Sequence, residues 1–516
     1  MQERRAGTWF GHPKGVFLVA FTELWERFSY FGMAALLALY LASDVASGGW
    51  GWNRSEASLF FGFYAGLIFV MPVVGGWITN NYLGERRCIL IGALLLMSGH
   101  ILLGGPAVVP ELIQRFTGID ARAVIVQSGV ALGRVWALDE VAPALHAAAM
   151  QLGGSVEASS QLSRLAMLSY VGASGSFLFG LACIVVATGL FKAAIASIVG
   201  KLYPAADARR DTGYAVFFTC IYTGAMLANF AVGGVGETLG WHYGFAAAAA
   251  GMAIATTFYL WKQNEYLGDL GRTPDRVAAV RATRMPRTPL TREERDRIRV
   301  VILQGVFTTV YAAGFFQKGG LLNLYTRDYV DRTVFGMHVP ATWFLSVSTL
   351  VFMVATPLLA ALSLRLARRD RNPSASYKLA AGLLVIGVAY AILGQAEAAR
   401  VETNAAAIGA THLVVMYILF GIADALVWPN QLALATKLSP GRYTAFTIGA
   451  WHLTVGLGTW LAGLIANAVE SVGNLQIFAW MALLCTFAAG AVVLLTPTMR
   501  RMMHGAEQTT VAPQGT

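Results

Sequence analysis

Apolar positions in this chain come in long unbroken runs. They neither alternate with polar ones, as in a half-buried strand, nor form a single stripe, as on a surface helix. Runs of about 20 residues, the length of helix that crosses roughly 30 Å of hydrocarbon, recur from end to end. Twelve can be counted. The first six lie near 15–42, 57–82, 87–105, 172–202, 213–236 and 241–262, and the second six near 298–324, 341–364, 377–395, 410–436, 443–468 and 474–496. The pattern predicts an all-α integral membrane protein with two halves of six transmembrane helices each.

The polar positions between the runs set an orientation, because Lys and Arg in short loops stay on the cytoplasmic side. Arg4, Arg5 and Lys14 precede span 1, Arg86 and Arg87 follow span 2, and Arg209 and Arg210 follow span 4. Arg368, Arg369 and Arg371 follow span 8, and Arg500 and Arg501 follow span 12. Both termini are therefore expected in the cytoplasm of a cell whose inner membrane holds the chain. The expected organisation is a cytoplasmic N-terminus (1–13), an N-terminal six-helix bundle (14–263), a cytoplasmic linker (264–297), a C-terminal six-helix bundle (298–497) and a cytoplasmic tail (498–516). The linker region is rich in Arg and carries Pro274, Pro286 and Pro289, as a solvated connection would. An outward-facing insert, 106–168, interrupts the first bundle; its apolar pieces are too short to span, and Ala121 to Leu138 reads as an amphipathic helix. It reads as a cap without a direct part in function. No cleavable signal peptide is evident, and the short basic N-terminus suits an uncleaved signal-anchor.

Composition agrees and excludes other classes. Hydrophobic residues make up 56% of the 516 and charged ones 13%, against about a quarter charged in a soluble domain. The formal charge of +10 follows from the scattered inner-loop basic residues, so no nucleic-acid partner is expected. Cys88, Cys183, Cys220 and Cys485 all fall inside predicted spans, which implies no disulfide framework. There is no HExxH, P-loop, GxSxG or CxxC, so metal, nucleotide-hydrolysing and serine-nucleophile chemistry lack their usual carriers. The reading is of a chain that is not an enzyme, takes no cofactor or metal, and has the lipid bilayer and a small-molecule substrate as its partners.

One stretch breaks the apolar rule. In "ELWERFSYFGM" Glu23, Glu26, Arg27 and Tyr30 stand at spacings of three, four and seven, on one helical face. Counting from Lys14 at 1.5 Å per residue, Glu23 lies ~14 Å deep, near the bilayer midplane. Each charge there costs roughly 2.5 to 3.5 kcal/mol on the insertion scale, so the three must face protein or water. An ion pair that only locks span 1 to a neighbour is one reading. The other is proton coupling, since two carboxylates and one arginine leave an acid unmatched, able to take up and release H⁺ with the proton gradient as driving force.

At these residues the chain resembles the proton-dependent oligopeptide transporter family of the major facilitator superfamily. The family's first-span signature ExxERFxYYG reads here Glu23-Leu-Trp-Glu26-Arg27-Phe28-Ser-Tyr30-Phe31-Gly32. "GGWITNNYLGERR", "GLFKAAIASIVGKLY", "GWHYGFAAAAAGM", "LNLYTRDYVDR" and "VPATWF" resemble further family segments, while the insert is not covered. The resemblance implies the major facilitator fold and proton-driven symport of di- and tripeptides by alternating access. It assigns proton coupling to Glu23, Glu26, Arg27 and Lys192, places Lys192 at the peptide carboxylate as well, and gives the peptide amino group to Asp424, where the family usually has glutamate. Trp451 matches the family's pocket tryptophan.

The rest of the expected substrate site departs from the family. Phe69, Tyr222, Phe316 and Ser348 stand where it has a tyrosine, an asparagine, an acid and an asparagine, and Ala34 and Trp428 replace an arginine and a serine. Tyr30 and Phe31 complete the expected lining. The lost arginine and acid form an ion pair in the family, so apolar closure of the outer gate involving Ala34 and Phe316 is expected here. Lys318 is either a further substrate cation or a lysine snorkelling to the outer surface. Trp50 and Trp52 read as interfacial anchors. Three functions stay open: a peptide symporter, a proton-coupled carrier of a modified peptide or other solute, and a non-transporting sensor.

Overall fold

The computed structural model describes residues 7–204, 207, 209–274, 289–369, 371–439 and 444–506. Each of the twelve apolar stretches is helical. In the first half they form α1 (Lys14–Leu41), α2 (Arg54–Ile78), α3 (Glu85–Leu102), α7 (Val156–Lys201), α8 (Arg209–Ala228) with α9 (Gly234–Leu239), and α10 (Trp241–Leu267). Helices α4 (Gly105–Thr117), α5 (Ala121–Ser128) and α6 (Leu138–Leu152) make up the insert. The second half holds α11 (Arg292–Phe315), the short α12 (Leu321–Tyr329), α13 (Ala341–Ala367), α14 (Ala375–Glu402), α15 (Ala410–Leu438), α16 (Thr444–Asn467), the single turn α17 (Val469–Val472) and α18 (Asn474–Met502). Among the described residues ten helices are long and apolar enough to cross a membrane, and an eleventh if α3 and α4, bent by 58°, are one broken span. The remaining long helix, α1, has 28 residues, and Glu23, Glu26 and Arg27 lower its apolar character.

Burial follows the two halves. One core gathers Leu36, Phe177, Phe245 and Tyr259 from α1, α7 and α10; the other gathers Tyr390, Tyr417, Phe420 and Phe478 from α14, α15 and α18. Between them α2 lies along α16, and α8 along α13. Glycines make the first seam possible: a Cβ at Gly62 would stand 2.5 Å from Gly463 Cα, and one at Gly66 2.9 Å from the Gly456 carbonyl. Small residues let the two helix backbones pack this closely.

Several boundaries differ from expectation. Helix α11 starts at Arg292, where Thr291 and Glu294 form a capping box, so the helix begins within the expected linker. Part of that linker, 275–288, and the tail beyond 506 lie outside the described residues, as do residues 1–6. The amphipathic helix expected over Ala121 to Leu138 is α5 followed by a loop that ends where α6 begins at Leu138. Helix α5 stops at Ser128 because Gly129 takes a left-handed turn (φ 65°).

The insert packs against α7, which at 46 residues is ~69 Å long and rises well past a bilayer. Residues 131–134 are fastened to the α1–α2 loop and to α7: the Leu132 amide donates to the Trp50 carbonyl (2.8 Å), the Gly133 amide to Ser174 Oγ (2.9 Å), and the Tyr170 hydroxyl to the Ala131 carbonyl (2.8 Å). Trp50 is wholly buried against Phe177, with ring centroids 4.6 Å apart, and the Trp52 indole N–H donates to the Leu132 carbonyl at 2.7 Å. Both tryptophans therefore hold the insert, and the expected role as interfacial anchors is corrected. Gly133 has φ 82°, and a Cβ there would overlap the Trp50 ring. Gly133→Ala is expected to destabilise by about 1 to 3 kcal/mol, measured as a lower thermal midpoint in detergent.

Candidate functional site

Two charged groups of side chains face the interior, one in each bundle. In the first, Arg27 pairs with Glu23 through Nε and Oε1 at 3.0 Å, and through Nη2 with Glu26. The helical spacing puts both acids beside one guanidinium. All three are buried, Glu26 completely. Glu23 Oε2 and Glu26 Oε1 have no hydrogen-bond partner among the described residues. Two carboxylates thus pair with one guanidinium, and either is a place where a proton could reside. Arg27 also lies over the rings of Tyr30 (5.4 Å) and Phe31 (6.0 Å). Lys192 comes in from α7, with its Nζ 5.2 Å from the Tyr30 ring and 5.5 Å from Phe69 on α2. Glu23, Glu26, Arg27, Tyr30, Phe31, Phe69 and Lys192 are therefore brought together, as the sequence predicts.

In the second group Asp424 of α15 accepts a hydrogen bond from the Tyr311 hydroxyl of α11 at 3.1 Å. Tyr311 stacks on Phe315, centroids 5.6 Å apart and planes 16° from parallel. Lys318 Nζ rests 3.8 Å from the centre of Phe315. Helix α11 gives way to a 3-10 turn at Phe316–Gly319, which turns Lys318 back onto the bundle core. The snorkelling reading of Lys318 is thereby corrected: its head lies on a ring only 4% exposed.

Aromatic rings join the two groups. Phe69 meets Phe316 (5.2 Å) and Trp428 (6.4 Å), Phe316 meets Phe315 (5.5 Å), and Trp428 meets Trp451 (4.9 Å). Trp451 is 4% exposed and its indole N–H has no partner among the described residues. Tyr222 lies off this line, stacked on Phe352 of α13 at 4.2 Å across the bundle interface. Ser348 does not present its hydroxyl: the side chain is 2% exposed and donates to the Leu345 carbonyl of its own helix at 2.9 Å. The match to a family asparagine put Ser348 in the expected lining, whereas its hydroxyl bonds back to the preceding turn. Tyr311 and Phe315 touch Asp424 and Lys318 and were not singled out from the sequence, whereas Trp428 was noted there as a replacement for a serine. The signal for Tyr311 was its spacing of four from Phe315. Among the described residues no three His, Cys, Asp or Glu side chains converge as metal ligands would.

The bundles are joined at the end that carries the α1–α2 loop. Asn323 Nδ2 donates to the Ala35 carbonyl (2.7 Å), and Arg54 reaches Asp328 (3.5 Å) and Asn474 (3.0 Å). Glu237 of α9 accepts from the amides of Ala341 (2.9 Å) and Thr342 (2.8 Å) and from Thr342 Oγ1 (2.7 Å), with Arg332 at 3.5 Å. A carboxylate from one bundle thus caps the first turn of a long helix in the other. Polar contacts hold this end, and Phe316, expected at an apolar closure with Ala34, spends its ring on Phe69 and Phe315.

Two helical bundles, with ten or eleven candidate spans among the described residues and ionisable groups turned toward their common interior, fit a membrane carrier. The POT family profile matches residues 86–268 and 272–481, and the chain belongs to that family. It is 26% identical to the peptide transporter YePEPT of Yersinia enterocolitica over 97% of each chain. A di-/tripeptide transporter of Lactococcus lactis is 24% identical over 86% of this chain and 87% of its own. Among solved structures, a POT family transporter in complex with 5-aminolevulinic acid superposes with a TM-score of 0.77, at 21% identity over 96% of this chain and 98% of that one.

Proposed function

We propose that the chain is a proton-coupled symporter that imports small peptides by alternating access, set in the cytoplasmic membrane with both termini inside. Peptide transport follows from membership of the POT family and from relatives named for it. The observation that carries proton coupling is the buried pair of acids around a single guanidinium, with carboxylate oxygens that no donor among the described residues satisfies. Lys192, over the Tyr30 ring shared with Arg27, ties this cluster to the cavity. Asp424 is assigned the peptide ammonium.

The altered lining narrows the substrate. Phe69, Phe316 and Trp428 fill space and offer no hydrogen bond to a peptide backbone, so a short ligand suits the cavity. The structural relative's ligand, 5-aminolevulinic acid, has the chain length of glycylglycine with a methylene in place of the amide nitrogen. Purified protein in liposomes is expected to accumulate dialanine when the interior is made alkaline and to lose that accumulation when the gradient is collapsed. Dialanine uptake indifferent to the gradient would overturn proton coupling.

A further inference from the structure

We propose that the cleft between α13 and α14 holds an anionic phospholipid, its phosphate at Lys378 and an acyl chain along the apolar walls beyond. Helices α13 and α14 each pack along α15 and leave between them a cavity of about 600 Å³. Its lining comes from these three helices and the α13–α14 connection, and shares no residue with the two charged groups that face the interior. Depth separates this lining by chemistry, because α13 ends at Ala367 and α14 begins near Ala375, both at the mouth. Far from the mouth stand Leu359, Ala360, Ala381, Ala425 and Leu426, with Thr356, whose hydroxyl donates to the Phe352 carbonyl at 2.8 Å. The polar side chains of Ser363, Asn372, Tyr377, Lys378 and Asn430 stand nearer to it. From Ala367 back to Thr356 the helix rises ~17 Å, about half of the ~30 Å hydrocarbon core and so the depth of one leaflet.

Charge selects the occupant. The Lys378 ammonium donates to Ser363 Oγ and to Asn430 Oδ1, each at 3.1 Å, which holds the cation where the three helices meet. Arg368, Arg369 and Arg371 lie in the connection between Ala367 and Asn372, both of which line the cavity, and they are exposed, as is Arg365 just before them. Segment 365–371 carries four arginines against the single acid Asp370. Basic clusters beside a membrane span attract anionic lipids, and basic pockets between spans take their headgroups. A free phosphate would leave the apolar walls unfilled, and an uncharged amphiphile would leave the basic mouth unanswered. An anionic lipid answers both. Its leaflet is the one on the side of the α13–α14 connection, the cytoplasmic leaflet in the orientation proposed above.

The test titrates the purified full chain, in an uncharged detergent, with phosphatidylglycerol, phosphatidylcholine or glycerol 3-phosphate and reads the thermal midpoint. Phosphatidylglycerol is expected to raise the midpoint by about 3 °C or more beyond phosphatidylcholine, because a ligand stabilises the state that binds it, and glycerol 3-phosphate to leave it unchanged. Lys378→Ala is expected to respond equally to the two lipids, and Lys378→Arg to keep the difference. Ala381→Trp fills the cleft with the lysine in place, and should abolish the preference for phosphatidylglycerol whether or not Lys378→Ala folds. Ala381 is exposed where it lines the cavity, so the larger ring enters the cleft and not the packed core. The inference is overturned if the two lipids act alike on the unmodified protein, or if glycerol 3-phosphate stabilises it as much as phosphatidylglycerol does. It is equally overturned if either Lys378→Ala or Ala381→Trp keeps the preference, since the lipid would then act elsewhere on the surface.

Discussion

Protein carrying Glu23→Gln and Glu26→Gln together is expected to show no accumulation of dialanine under an imposed pH gradient, while still exchanging labelled for unlabelled dialanine across the membrane. The argument is one of charge. Arg27 holds both carboxylates, and the carboxylate oxygens left without donors mark where an added proton would reside. Amides are close in shape but cannot load or release a proton at any physiological pH, so coupling is lost while the path for substrate remains. The double change also leaves Arg27, 5% exposed, without a counter-charge, which costs about 3 to 5 kcal/mol when one partner of a buried pair is removed. A further variant, Arg27→Gln added to the two, removes the stranded guanidinium and separates loss of coupling from loss of folding. Accumulation equal to that of the unmodified protein would end the proton-coupling proposal. Either single amide leaves one acid on the guanidinium and is expected to give partial loss, because one protonatable carboxyl remains and the cation is not stranded.

The legibility of these features in the sequence divides along a physical line. Spans were visible because lipid imposes a requirement on each segment by itself: about 20 apolar residues in a row. The Glu23, Glu26 and Arg27 cluster was visible for the converse reason, that three charges in such a run demand a protein-lined environment. What depends on contacts between distant segments was not visible. Trp50 reads as an interfacial anchor until residues 131–134 are seen fastened beside it, and nothing local distinguishes a tryptophan at a bilayer surface from one under a cap. Ser348 stands at a family lining position, and only the folded helix shows its hydroxyl on the Leu345 carbonyl. Lys318 carried two readings that differ only in direction. The break in α11 at Phe316 decides between them, and a short 3-10 turn leaves no mark in a hydropathy pattern. Glu237, beside a segment that closely matches the family, drew no notice because its partners lie about 100 residues away.

That glutamate supports the second large prediction. If the α1–α2 end of the molecule were held by apolar contact alone, removing a carboxylate there would change little. The structure instead gives Glu237 two backbone amides, one hydroxyl and the Arg332 guanidinium, with its side chain 10% exposed. Hydrogen bonds to a charged group contribute roughly 1.5 to 3 kcal/mol each, and the N-terminus of α13 adds its own attraction for an anion. These contacts exist only while the two bundles are closed at this end, so losing them raises the population open there. Discounting for the water that would replace the carboxylate, a net change of about 3 kcal/mol is more than a hundredfold in that ratio. Glu237→Ala is therefore expected to speed labelling of an introduced Ala35→Cys by a bulky maleimide added from this end by at least tenfold. Ala35 is 2% exposed and lies under the Asn323 contact, so it is reached only when the bundles part. Glu237→Gln, which keeps an acceptor and loses the charge, should fall between, and Thr342→Val, which removes a single hydroxyl, should have the smallest effect. Equal labelling in Glu237→Ala and the unmodified protein would mean that this end is closed by Arg54, Asp328 and the packed side chains without the glutamate. A rise in labelling with an unchanged thermal midpoint would show that the carboxylate acts on the balance between states and not on the fold.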